Sequence, residues 1–146
     1  MAEEGKLGAP PDGGWLRLEH VGFEALAGPL YWLPDVDCEN EPFRMGFRVE
    51  AKHCNPQNAC HGGMMATFLD LALGLSLRSA SDFCGPTMNL TIDYLSPALL
   101  GDWIESRSRF VHATFRTGYC DVIARGPRGP VARANGMFRL ARPKTG

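Results

Sequence analysis

The chain carries almost no excess charge of either sign: 15 Lys and Arg stand against 16 Asp and Glu in 146 residues, a net charge of -1. Such a surface has no electrostatic footprint for nucleic acid or for an anionic membrane, and neither partner is expected. Long hydrophobic runs are also missing. The most apolar stretch, within 64–77, is broken by Thr67, Asp70 and Ser76 and is too short to span a bilayer. The start, Met1-Ala2-Glu3-Glu4-Gly5, has neither the basic opening nor the apolar segment of a signal peptide, so a cytoplasmic protein is expected. No Cys-x-x-Cys occurs among the five cysteines at 38, 54, 60, 84 and 120. Cys54 and Cys60 lie near His53 and His61, but a zinc site wants closer cysteine pairs and a second cluster; reduced thiols and no metal are expected. There is no G-x-S-x-G elbow, no G-x-G-x-x-G and no P-loop, which leaves serine-hydrolase and nucleotide-cradling chemistry unsupported.

The length suits one domain with a real core. Residues 1–14, rich in Gly, Pro and Glu, read as a flexible tail, and 15–146 as the domain. Trp15 to Leu33 suggests a short helical turn and then a strand, and Pro34 to Pro42 a turn-rich loop. Phe43, Met45, Phe47 and Val49 alternate with Arg44, Gly46, Arg48 and Glu50, which predicts a strand with one buried face. Lys52 to His61 is loop. After a helix, Ser81-Asp82 and Gly85-Pro86 turn the chain, and four strands follow. In the first, Met88, Leu90, Ile92 and Tyr94 face one way and Thr87, Asn89, Thr91 and Asp93 the other. Trp103 to Ala113 is extended, and Gly118–Ala124 and Val131–Leu140 form a hairpin about Arg125–Pro130. One long helix among antiparallel strands is α+β.

The helix begins at Gly62 or Gly63 and runs to about Ser79. Between Gly62 and Leu77 its only charged residue is Asp70. A helix apolar on nearly all sides must be buried on nearly all sides, and a lone carboxylate there costs free energy unless it is paired, hydrogen-bonded or used. A single sheet covers one side only, so a strongly curved sheet and an oligomer are expected. Gly63, Thr67, Asp70 and Gly74 share one small, polar face; Met64, Phe68, Leu71 and Leu75 form an adjoining apolar one. The small face leaves room for a ligand beside Asp70, with Gly63, Thr67 and Phe68 as candidate substrate contacts. A purely structural reading competes: the stripe permits close packing and Asp70 caps the N–H groups of a neighbouring loop.

Helix N-termini offer unpaired N–H groups, and glycine lets a ligand reach them, so the Gly62 N–H could hold a carbonyl oxygen as it becomes an oxyanion. Gly62 and Asp70 are eight residues apart, about 12 Å along a helix. Groups that act on one carbonyl must lie about 3 Å from the same centre. If both are catalytic, the site combines Gly62 of one chain with Asp70 of a two-fold mate.

Asn55…His61-Gly62-Gly63…Asp70, followed by Thr87 and by Thr91-Ile92-Asp93-Tyr94-Leu95-Ser96-Pro97-Ala98, resembles the hotdog-fold acyl-CoA thioesterases of the phenylacetate-pathway (PaaI-like) type over about residues 40–140. The resemblance implies a curved antiparallel sheet of about six strands wrapped around one long buried helix, homodimers with interfacial sites and often homotetramers. It implies Asp70 as nucleophile or as general base for water, Asn55 and the Gly62 N–H polarising the thioester carbonyl, and His61 orienting Asn55 and its loop. Thr87 matches a position where a related group uses serine to place water. Hydrolysis of an activated acyl group by a carboxylate, a water and an oxyanion hole needs no cofactor. Burial should raise the pKa of Asp70 and polar neighbours lower it, and the balance must leave it ionised. Arg107, Arg109, Arg116, Arg125 and Arg128 could meet coenzyme A phosphates or form a solvated face. His20, His53 and His112 have no triad-like context, and Cys60 reads as a small packing residue. Two other readings stay open: a non-catalytic acyl-CoA-binding or regulatory hotdog protein, and a hotdog enoyl-thioester hydratase or dehydratase.

Overall fold

Alternation decides the strand before the helix. In β3 (Phe43–Arg48) the side chains of Phe43, Met45 and Phe47 are buried while Arg44 and Arg48 are partly exposed, as the period of two predicts. The computed structural model describes residues 8–34, 43–80 and 85–140, apart from the side chains of 79 and 80. The predicted turns at 35–42 and 81–82, residues 1–7 of the predicted tail and the polar end from 141 lie outside the described residues. Within 8–14, the Ala9 carbonyl accepts hydrogen bonds from Arg48 Nε and Nη2 at 3.1 and 3.0 Å.

Two-residue strands β1 (Leu16–Arg17) and β2 (Tyr31–Trp32), with the short helix α1 (Phe23–Ala27) between them, precede β3. Helix α2 spans Gly62–Ala80. The strands β4 (Thr87–Tyr94), β5 (Trp103–Ala113), β6 (Thr117–Gly126) and β7 (Gly129–Arg139) follow, the four strands expected after the helix. All seven form one antiparallel sheet in the order β1-β2-β3-β5-β6-β7-β4. The sheet has one strand more than the expected six because Leu16–Arg17 and Tyr31–Trp32 pair at its first edge, where stretches so short leave no periodic signal. The chain leaves β3, crosses the sheet as α2, and returns as β4 on the far edge.

Helical spacing explains how α2 sits. Met65, Phe68, Leu69, Ala72, Leu73, Ser76 and Leu77 recur at three- and four-residue steps, and all are buried. Phe68 therefore leaves the apolar face to which its spacing from Met64 assigned it. It is fully buried, its ring centre 4.7 Å from that of Phe47. Met64, Leu71 and Leu75, on the adjoining face, pack against the core but stay partly exposed, because one sheet covers one side of a helix. No helix among the described residues is long and apolar enough to cross a membrane.

Glycines in β6 and β7 let the helix approach. A Cβ on Gly118 would stand 2.7 Å from Leu77 Cδ1, and one on Gly136 would stand 3.0 Å from Leu73 Cδ1. Both leucines are fully buried and have nowhere to swing, so the helix rests on strand backbone. Gly118→Val overpacks this contact and is expected to cost about 1–3 kcal/mol. Denaturant unfolding should show a lower midpoint with an unchanged m-value, and an unaltered midpoint would refute the seating described.

Candidate active site

A tight loop prepares the start of α2. Asn58 takes a left-handed φ of 58°, which asparagine tolerates. Asn55 Oδ1 accepts the N–H groups of Gln57 and Ala59 at 3.0 and 3.2 Å. With that oxygen committed to the loop, Nδ2 is the end of the amide left to donate elsewhere. The loop tip is tied to the segment just after β4: Cys60 N–H donates to Ala98 O at 2.7 Å, and Leu100 N–H to Asn58 O at 3.0 Å. Residues near 60 and near 98, distant in sequence, thus build one wall.

Two histidines brace the loop. His53 is buried, with Nδ1 accepting the Glu50 N–H at 3.0 Å and Nε2 2.5 Å from Ala27 O. These roles require the neutral ring with its proton on Nε2, and burial accordingly holds the His53 pKa below the usual 6.5. The His53 carbonyl accepts the His61 N–H at 2.8 Å. His61 Nδ1 in turn accepts the Gly63 N–H at 2.9 Å, as a helix N-cap side chain does. The sequence reading gave His61 the orienting of Asn55; here its ring caps the helix. The first intrahelical bond runs from Met65 N–H to His61 O at 3.1 Å, so the Gly62 N–H lies ahead of the helical ladder. Gly62 lines an open groove of about 700 Å³ together with Asn55, Gly63, Cys60, Tyr94 and Ala98. Thr67, one turn on, spends its hydroxyl on Gly63 O at 2.9 Å.

Asp70 sits two turns along α2, half-exposed, and Thr87 Oγ1 donates to its Oδ1 at 2.7 Å. Among the described residues its hydrogen bond comes from a side-chain hydroxyl on a strand. Strict alternation had turned Thr87 away from Leu90, Ile92 and Tyr94. A bulge between Thr87 and Asn89 reverses that: Thr87 pairs with Phe138 and Asn89 with Met137, so Met88 is the extra residue and Thr87 joins the helix-facing side. No residue type in 87–89 announces this bulge. At the other end of β4, the Tyr94 hydroxyl donates to Gly62 O at 2.7 Å, a role the sequence reading did not give it. The structure thus gathers Asn55, His61, Gly62 and Gly63 at one place and Asp70 with Thr87 at another, while Phe68 lies in the core.

The thioesterase superfamily model matches residues 57–131, half of the chain, from the loop tip through α2, β4, β5 and β6. The chain belongs to the thioesterase superfamily. A Pseudomonas aeruginosa protein called an esterase is 28% identical over 117 residues, covering 79% of this chain and 85% of that one. A Streptococcus mutans UA159 protein solved with acetyl CoA bound superimposes with a TM-score of 0.62 at 28% identity, covering 68% of this chain and 80% of that one. The Escherichia coli PaaI protein of the phenylacetic acid degradation operon does so with a TM-score of 0.63 at 24% identity, over 68% and 72% of the two chains. The hotdog architecture is thereby shown, and the chain is an enzyme of thioester hydrolysis.

The His53 arrangement gives this thioesterase a pH-dependent stability. Because the folded state holds that proton less readily than the unfolded chain, the stabilisation is complete above the unfolded value of about 6.5 and is lost as pH falls through the lowered folded value. Protonation also puts a hydrogen on Nδ1, where the Glu50 N–H needs a lone pair. Melting temperature should therefore drop below about pH 6.5, and the drop should be shallower in His53→Gln, whose side chain does not titrate. Parallel slopes for the two proteins across that range would exclude His53 as the group responsible.

Proposed function

We propose that this thioesterase hydrolyses an acyl-CoA to a free carboxylic acid and coenzyme A, in sites that two copies of the chain build together. The observation that carries the reading is the antiparallel clamp between α2 and β4. Thr87, at the start of β4, bonds Asp70, and Tyr94, at its end, bonds Gly62. Among the described residues β4 is the last strand of the sheet and pairs only with β7. Antiparallel pairing of β4 with the same strand of a two-fold mate would complete that edge. It would also set the Thr87 end of one strand beside the Tyr94 end of the other. Asp70 of one copy then approaches Gly62 and Asn55 of its mate, which a single chain holds about 12 Å away along the helix.

In this reading the thioester oxygen accepts hydrogen bonds from the Gly62 N–H and Asn55 Nδ2. Each would strengthen as the oxygen gains negative charge. Oδ1 of Asp70 is engaged by Thr87, leaving Oδ2 to take a proton from water. The water oxygen bonds the carbonyl carbon, the tetrahedral centre collapses, and the C–S bond breaks. Coenzyme A leaves as a thiolate that takes the proton from Asp70. Gly63, without a side chain, keeps the approach to the helix end open, and Thr67 flanks the acyl group. The acetyl CoA in the Streptococcus mutans relative supports the coenzyme A half of the substrate.

Asp70→Asn should lower kcat by about 10²–10⁴ while leaving fold and association intact. A single turnover in oxygen-18 water should label the released acid and leave Asp70 unlabelled; label in the carboxylate would make Asp70 the nucleophile instead. The shared site has its own test. Asp70→Asn and Asn55→Ala homodimers should each be nearly inactive, yet unfolding and refolding them together forms heterodimers with one intact site of two. Activity should return to about a quarter of wild type, since random mixing pairs half of the chains. No recovery, with heterodimers demonstrated, would place both groups in one chain.

A further inference from the structure

Cys54 and Cys60 stand opposite each other in an antiparallel bridge at the base of the loop that carries Asn55. The flanking bonds run from Asn55 N–H to Ala59 O and from His61 N–H to His53 O, both 2.8 Å. That pattern makes Cys54 and Cys60 a non-hydrogen-bonded pair, whose Cα atoms lie about 4.5 Å apart with side chains on the same face. A disulfide spans Cα separations of about 4.4–6.8 Å and Cβ separations of about 3.5–4.5 Å. Both thiols are free and half-exposed. Among the described residues their partners are weak ones: Cys54 Sγ lies 3.4 Å from Glu50 O, and Cys60 Sγ 3.6 Å from His61 O. Neither sulfur has a part in the hydrolysis.

We propose that Cys54 and Cys60 are an oxidation site, a dithiol that a low-molecular-weight disulfide converts to an intramolecular disulfide, and that closing this bond slows turnover. The bond itself is independent of the proposed function; its effect on turnover rests on the oxyanion roles of Asn55 and Gly62. A Cys54 thiolate attacks the small disulfide, forms a mixed disulfide and expels one thiolate. Cys60 then gives up its proton and attacks Cys54 Sγ, expelling the second. The protein loses two protons and two electrons, and the oxidant takes them up to become two thiols. Cys54 starts the exchange because burial pushes the Cys60 thiol up to about 12 and raises the Cys54 thiol less. Both shifts make the reaction slow at neutral pH and faster as pH rises.

The consequence for the site follows from position. Cys60 lines the groove, and Asn55 and His61 are the direct neighbours of the two cysteines. Drawing the sulfurs together narrows the bridge and moves Asn55 relative to Gly62. Misplacement by about 1 Å can cost up to 10² in rate.

The tryptic peptide 53–78 contains Cys54 and Cys60 and no other cysteine, so its mass reports this bond alone. The purified full chain, incubated with oxidised glutathione at about pH 8, should yield that peptide two hydrogens lighter after alkylation without reduction. In parallel, kcat on a mixed acyl-CoA panel should fall by about tenfold, and dithiothreitol should restore both. Cys54→Ser, outside the groove, should keep the reduced-state kcat and resist the oxidant. An unshifted peptide overturns the proposal, as does a shifted peptide with unchanged kcat, or an equal loss of kcat in Cys54→Ser. A protein that forms the bond but hydrolyses no acyl-CoA even when reduced would instead sink the functional reading and leave the oxidation site standing.

Discussion

The arrangement of this thioesterase depends on two hydroxyl groups that clamp one strand to one helix. Thr87 reaches Asp70 and Tyr94 reaches Gly62, so β4 runs antiparallel to α2 with a polar bond at each end. Seven steps of extended chain rise about 23 Å and eight of helix about 12 Å. The strand therefore cannot lie flat along the helix; the bulge at Met88 and the length of the tyrosine take up the difference. Each bond is worth about 0.5–1.5 kcal/mol, more where the acceptor is the Asp70 carboxylate, which is small beside the burial of the leucine stripe below. The contribution of the clamp is positional. Apolar packing fixes that α2 lies on the sheet, and the two hydroxyls fix which turn of the helix meets which residue of the edge.

What the sequence makes legible follows from which forces are periodic. Burial on a strand repeats every two residues and burial on a helix every 3.6, so β3 can be read from Phe43-Met45-Phe47 and α2 from Leu69-Leu73-Leu77. Helix geometry also separates Gly62 from Asp70 without any coordinates. Three features have no such signature. The bulge that turns Thr87 inward is one extra residue in a strand whose composition is ordinary. The bond from Cys60 to Ala98 joins segments almost forty positions apart, so no local pattern contains it. Phe68 could be assigned to either of two adjoining helical faces, and only the position of Phe47 opposite decides that it belongs to the core.

The two halves of the candidate site are built by different means. Around Gly62 the bonds are neutral and most run within the loop: Asn55 holds Gln57 and Ala59, His53 meets Glu50 and His61, and His61 caps Gly63. Ala27, Ala98 and Tyr94 reach in from farther along the chain. In the proposed reading such a network would hold the Gly62 N–H in place before any substrate arrived, the condition under which an oxyanion donor is most effective. The Asp70 half is the reverse: one charge, one long-range hydroxyl, and a half-exposed position on the small polar face of α2. In a single chain that carboxylate meets water as readily as substrate, and its field is screened accordingly.

The edge strand gives the reason to couple these halves through assembly. Sheet edges that stay free are usually blunted by proline, lysine or a bulge along their length. β4 has no proline and no lysine, its bulge is confined to its first three residues, and its one charged side chain, Asp93, is paired with Arg133 at 2.8 Å. Met88 and Tyr94 on the strand, and Leu95 beyond it, are each about half exposed or more, at 52%, 57% and 51%. An edge with these properties is costly to leave in water and cheap to cover. In the proposed dimer, covering it also removes water from Asp70 and brings the mate's oxyanion donors within reach, so the apolar gain of association and the electrostatic gain of catalysis come from the same contact. In that proposed dimer a chain would have little reason to hold its acid close to its own oxyanion donors. Spacing them two helical turns apart would keep the carboxylate and the activated carbonyl separate until the second copy supplied the missing group.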